Sequence, residues 1–142
     1  MCAAQKEGRF DFLATANAAR KILVMGTLSD YSGSRNRRYR AIARKAAQVA
    51  DHVFFVGFPA YPALRNRGAA LRSVSAFPSL RELDSKLRTV LRAGDLVVVK
   101  GSQRSDHLVR LLLNHHRPIK CWRMDCGLKT YCSSCTFLRE EM

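Results

Sequence analysis

The sequence predicts an α/β protein, a Rossmann-like and mainly parallel sheet with helices on both faces, followed by a cysteine-rich tail. Three observations carry that expectation. Short apolar runs, KILVM, HVFFV and DLVVV, each stop at or next to a glycine turn. Segments of helical period separate them, and strands buried on both faces read as continuous rather than alternating apolar runs. The length, 142 residues, suits one domain of ordinary size.

Residues 1–19 show no sustained period and read as a flexible leader, ahead of an α/β domain over 20–118 and a tail over 119–142. Lys21 to Gly26 is a buried strand that glycine ends. After a polar loop, Ile42, Ala46, Val49 and Ala50 recur on one helical face whose other face carries arginines. His52 to Gly57 repeats the strand-then-glycine pattern. Pro59, Pro62 and Gly68 allow only a short helix next, and Ser73 to Phe77 is a third strand. The clearest helix begins at Ser79, spaced with Glu82 as a capping box, and Gly94 is placed as its stop. Its stripe is Leu80, Leu83, Leu87, Val90 and Leu91. Asp95 to Gly101 is the fourth strand, Arg104 to Asn114 a helix with Leu108, Leu111 and Leu112 inward, and IKCWRM a candidate fifth strand.

Lysine and arginine number 25 against 11 aspartates and glutamates, a net charge of +14. Such a chain attracts polyanions. The densest cluster, Arg35 to Lys45, reads either as a solvated basic helix face or as a polyanion site, with nucleic acid among the partners to test. No apolar run approaches the length of a membrane-spanning helix. The first residues lack the pattern of a secretory signal, so the cytoplasm is the expected location.

In parallel sheets ligands gather at the carboxyl ends of strands, which puts the loops after Met25, Val56 and Val99 on one rim. Lys100-Gly101-Ser102 offers a charge, a close backbone approach and a hydroxyl. It could hold a phosphate, hold another anion or only turn the chain. A P-loop requires GxxxxGK(S/T), and no Gly-Lys-Ser/Thr occurs anywhere. Gly26-Thr27-Leu28-Ser29-Asp30 is not a GxGxxG fingerprint either. Ser102, Asp106 and His107 are spaced poorly for a triad, and capping or surface roles suit them better. His115-His116 matches a helix C-terminus.

Taken together, the two rim loops carry a resemblance. The stretch from Lys21 to Gly57, with Val99-Lys100-Gly101-Ser102 and Arg104, resembles the C-terminal domain of Mur ligases over roughly Lys21 to Leu113. The branch that adds D-alanyl-D-alanine to the UDP-muramoyl tripeptide is the most similar. Where that branch has Gly-Asp-Met-x-Glu-Leu-Gly, this chain has Thr27 for the Asp, Asp30 for the Glu and Tyr31-Ser32 for Leu-Gly; Tyr39 replaces a helix histidine. The resemblance implies part of an ATP-driven amide ligase in peptidoglycan synthesis, with ATP and magnesium held by a central ATPase domain. It implies positioning roles for Lys100, Gly101, Ser102 and Arg104 and a nucleotide or cation contact for Asp30. Without a P-loop, the chain would need a partner that carries one.

The tail holds Cys121, Cys126, Cys132 and Cys135, separated by four, five and two residues. Four thiolates suit a closed structural zinc site, a candidate zinc knuckle. Free or redox-active thiols and disulfides are the alternatives. With Trp122, Arg123, Lys129 and Tyr131, the tail could also meet nucleic acid.

Overall fold

The computed structural model describes residues 10–28, 33–66, 68–101, 105–128 and 130–140. Arg20–Met25 (β1), His52–Val56 (β2), Val74–Phe77 (β3) and Asp95–Lys100 (β4) are the apolar runs expected to be strands. They pair in the order β3-β2-β1-β4, every pair parallel. Successive side chains of a strand point to opposite faces. Leu23, Met25, Val53, Phe55 and Val74 therefore share one layer with Tyr39, Ile42, Ala43 and Ala46. Ile22, Val24, Phe54 and Val56 meet Leu80, Leu83, Leu87, Leu108 and Leu111 on the other face. Two buried faces explain runs without polar interruption.

Residues 10–15 form a helix (α1), and Leu13 is fully buried in the first layer. The segment read as a flexible leader thus contains a helix, because Phe10 and Leu13 supply apolar cover to the sheet. Arg35–Val49 (α2) starts at Ser34, whose side chain accepts a bond from the Arg37 amide. Ala60–Leu64 (α3) is short, as its prolines require.

Leu80–Val90 (α4) has the expected capping box: the Glu82 amide donates to Ser79 Oγ at 3.3 Å. It ends before Gly94, whose φ of +88° serves the turn into β4 instead. Val109–His116 (α5) ends in two histidines, while its Leu112 faces outward. The chain builds β1, β2 and β3 outward, and α4 then carries it back to the other side of β1. The crevice between the carboxyl ends of β1 and β4 is the switch point of the sheet.

IKCWRM does not become a fifth strand. The Ile119 amide donates to Asn114 Oδ1 at 2.9 Å, and the Lys120 and Cys121 amides both donate to the Leu138 carbonyl. Donors that a sheet ladder would use are thus committed to α5 and to the tail. The tail continues through short 3₁₀ turns at Cys132–Ser134 and Thr136–Arg139. Its own core is small: Ile119, Cys132 and Leu138, laid against Val109 and Leu113 of α5.

Two polar devices lock this arrangement. At the start of the sheet the Arg20 guanidinium grips Asp95 with two bonds, Nε to Oδ1 at 3.0 Å and Nη2 to Oδ2 at 2.7 Å, joining β1 to β4. That hydrogen bonding pulls the Asp95 carboxyl down to about 2 from its ordinary 3.8. The second device joins helices. Asp84 Oδ2 accepts from Asn114 Nδ2 at 2.9 Å and from Arg88 Nε at 3.0 Å.

Two predictions follow from these contacts. A carboxylate whose pKa is depressed on folding contributes stability above its unfolded pKa and loses it as pH falls through the folded one. Asp95→Asn should therefore narrow its stability gap to the wild type as the pH of urea titrations falls from about 4 toward 2. Asn114→Ala leaves the Ile119 amide without its acceptor and the buried Asp84 with Arg88 as its remaining donor, and should lower unfolding free energy by about 1–3 kcal/mol in urea.

Candidate functional site

At the switch point the two rim loops are laced together. The Gly26 amide donates to the Lys100 carbonyl at 2.8 Å, continuing the β1–β4 ladder by one bond. Over that bond lies the Asp106 carboxylate. Its Oδ1 accepts from the Thr27 amide at 3.2 Å and from the Thr27 hydroxyl at 2.8 Å. Both rim glycines make room for it. A Cβ on Gly26 would stand 2.4 Å from Asp106 Oδ2, and one on Gly101 would stand 2.8 Å from the same oxygen and 2.5 Å from Leu108 Cδ1. The glycine of the Lys-Gly-Ser loop therefore admits an aspartate from its own chain.

The loop after β1 is held from below as well. Tyr39 is fully buried, its ring edge-on to Phe55 at 5.8 Å, and its hydroxyl accepts from the Leu28 amide at 3.0 Å. Tyr39 thus anchors the rim from within the core.

Next to Asp106, the backbone takes a φ of +54° at His107. This left-handed residue, uncommon outside glycine, sends two neighbouring side chains in different directions. Asp106 enters the crevice, whereas His107 is buried with Nδ1 at 3.4 Å from Cys132 Sγ. Burial and then the positive charge of Arg110 push the His107 pKa below its usual value, against the pull of Asp106 and Asp125.

A cavity of about 230 Å³ opens above the crevice. Thr27, Gly57, Phe58, Ser105, Asp106 and Asp125 are among its lining residues. Two carboxylates and two hydroxyl-bearing residues make it suited to a cationic head group with hydrogen-bond donors, such as an ammonium. Sequence reasoning missed Thr27 and Asp125 and gave Asp106 only a capping or surface role. The signal was the strand-glycine end of β1, which needs a group to close over it.

Of the expected rim residues, Lys100 ends β4 and contributes its carbonyl to Gly26, and Gly101 packs under Asp106. Neither lines the cavity among the described residues. Asp30, Ser102 and Arg104 lie outside the described residues. Cys121, Cys126, Cys132 and Cys135 are free thiols that line a second cavity, against α5. Among the described residues no three His, Cys, Asp or Glu side chains stand together closely enough to hold a metal ion. The closed zinc site expected from spacing is not preformed.

The family model for the Mur ligase, glutamate ligase domain, matches residues 9–103. The chain belongs to the Mur ligase C-terminal domain family. No curated protein matches it. In this Mur ligase domain the matched stretch runs from α1 to the loop after β4, and it begins earlier than the resemblance at Lys21 suggested. Asp106, Asp125 and the four tail cysteines lie beyond it. No helix among the described residues is long and apolar enough to cross a membrane.

The geometry makes a direct prediction. In Gly26→Ala the new methyl and the Asp106 carboxylate cannot both stay in place. The variant should lose about 1–3 kcal/mol of stability, and the Thr27 amide should exchange with solvent faster by NMR.

Proposed function

We propose that the chain is the C-terminal domain, or a separately encoded part, of a cytoplasmic Mur-like ATP-dependent amide ligase acting on a cell-wall-type precursor. Its share of the reaction is to seat the amino compound that attacks the activated acyl group. The observation that carries this reading is the carboxylate-bearing cavity at the switch point of a Mur ligase fold. Asp106 and Asp125 attract the ammonium end of an amino acid or dipeptide. Lys100, Gly101, Ser102 and Arg104 are assigned to its carboxylate end, and Asp30 to the nucleotide side. Holding a nucleophile in place replaces a bimolecular encounter by an oriented one.

The residues present do not fit the triphosphate and its magnesium. The chain has no Gly-Lys-Ser/Thr to wrap a γ-phosphate, and Asp106 Oδ1 already accepts two bonds from Thr27. ATP and magnesium belong to a P-loop domain supplied by other polypeptide, and this chain's own work is binding and orientation.

A second reading keeps one observation: Arg35, Arg37, Arg40, Arg44 and Lys45 of α2 are all exposed, on a chain of net charge +14. That face suits nucleic acid. Titrating the isotope-labelled protein with D-alanyl-D-alanine separates the two. The ligase reading expects amide shifts at Thr27, Gly57, Asp106 and Asp125, and binding weakened about tenfold or more by Asp125→Asn. No shifts with the dipeptide, together with RNA binding through α2 that falls steeply with salt, would replace it by the nucleic-acid reading.

A further inference from the structure

We propose that the four tail thiols bind one zinc ion, with Arg110 as the buried outer donor that holds Cys132 toward it. Three observations outside the crevice converge on this site.

The first is placement. Cys121, Cys126, Cys132 and Cys135 come from separate stretches of the tail, the last two from one 3₁₀ turn and its cap, and all four line one cavity of about 130 Å³. None is in a disulfide. As arranged, no three of them stand at coordinating separation, so the ion closes the cavity by drawing them inward. Cys121, Cys126 and Cys135 are half-buried, whereas Cys132 is buried against α5.

The second is charge. Arg110 is 1% exposed, and no carboxylate among the described residues pairs with it. Its guanidinium donates Nε to Cys132 Sγ at 3.2 Å and Nη1 to the Arg123 carbonyl. A buried cation facing a neutral thiol leaves its charge uncompensated, which is costly. Facing a tetrathiolate it does not. Zinc displaces four protons, Zn²⁺ plus four R–SH giving [Zn(SR)₄]²⁻ plus four H⁺, and the resulting dianion accepts the Arg110 hydrogen bond as a charged partner. Outer-shell donors of this kind orient a ligand and tune its basicity.

The third is the thinness of the tail. Its core of Ile119, Cys132 and Leu138 is far smaller than either face of the sheet. Chain segments with so little apolar burial are ordinarily held by a metal or a disulfide. The ion would fasten Met124 and Asp125 over the rim cavity that they help to line.

The reduced full chain, titrated anaerobically with cobalt(II), tests the proposal without relying on any variant. The expected result is one equivalent bound, with the intense sulfur-to-cobalt charge transfer and ligand-field bands of a tetrahedral four-thiolate site, displaced by zinc with unchanged stoichiometry. Cys121→Ser and Cys135→Ser should each alter the spectrum, Cys2→Ser should not, and Arg110→Met should weaken zinc binding about 10-fold to 100-fold while keeping the four-thiolate spectrum. An octahedral spectrum, a site that survives Cys121→Ser unchanged, or a Cys132–Cys135 disulfide found by alkylation and mass spectrometry in freshly isolated protein would each overturn it.

Discussion

Strand β1 has neither a free edge nor a free face, and the rest of the molecule is arranged around that constraint. It is bonded to β2 on one side and β4 on the other, and its Ile22, Leu23, Val24 and Met25 are all buried. Because both edges are taken, β4 must be reached by a helix that crosses back over the sheet. Because both faces are covered, helices must lie on each side. The crevice at the end of β1 is the residue of those two requirements. Gly26 lies there because an aspartate carboxylate, rather than a side chain of its own, occupies the space above it.

The crevice shows how a strongly basic protein can carry an acidic site. The field of the whole chain, at +14, favours anionic partners at long range. Within the rim cavity the charged groups are the Asp106 and Asp125 carboxylates, set among Val56, Phe58, Pro59 and Met124. In the proposed function these are complementary demands: an anionic precursor approaches a basic surface, and the amine that attacks it is selected by the carboxylates. In that proposal the domain has only part of the reaction, since the sequence contains no Gly-Lys-Ser/Thr to wrap a triphosphate.

Asp106 and His107 join this crevice to the tail. Adjacent in sequence, they diverge at a left-handed residue, one bonded to Thr27 and the other beside Cys132. Asn114 strengthens the connection by bonding Asp84 of α4 and the Ile119 amide at the start of the tail. The tail is therefore packed into the α5 side of the domain, and its Met124 and Asp125 return to line the rim.

The strands, the capping box at Ser79 and the family were all legible in the sequence. Each depends on residues close together in the chain: an apolar run, a Ser/Glu spacing, a loop motif. The leader reading failed at α1 because Phe10 and Leu13 are too few to set a period, and their burial depends on a sheet built later in the chain. The fifth-strand reading failed because the amides of Ile119, Lys120 and Cys121 find Asn114 and Leu138 instead of a neighbouring strand. The crevice was half legible. Gly26, Lys100 and Gly101 announce a rim by their position after strands. That Asp106 lies between them, that Tyr39 supports the loop, and that Arg110 meets Cys132 were decided by tertiary structure alone, because each pairs groups that chain spacing does not bring together.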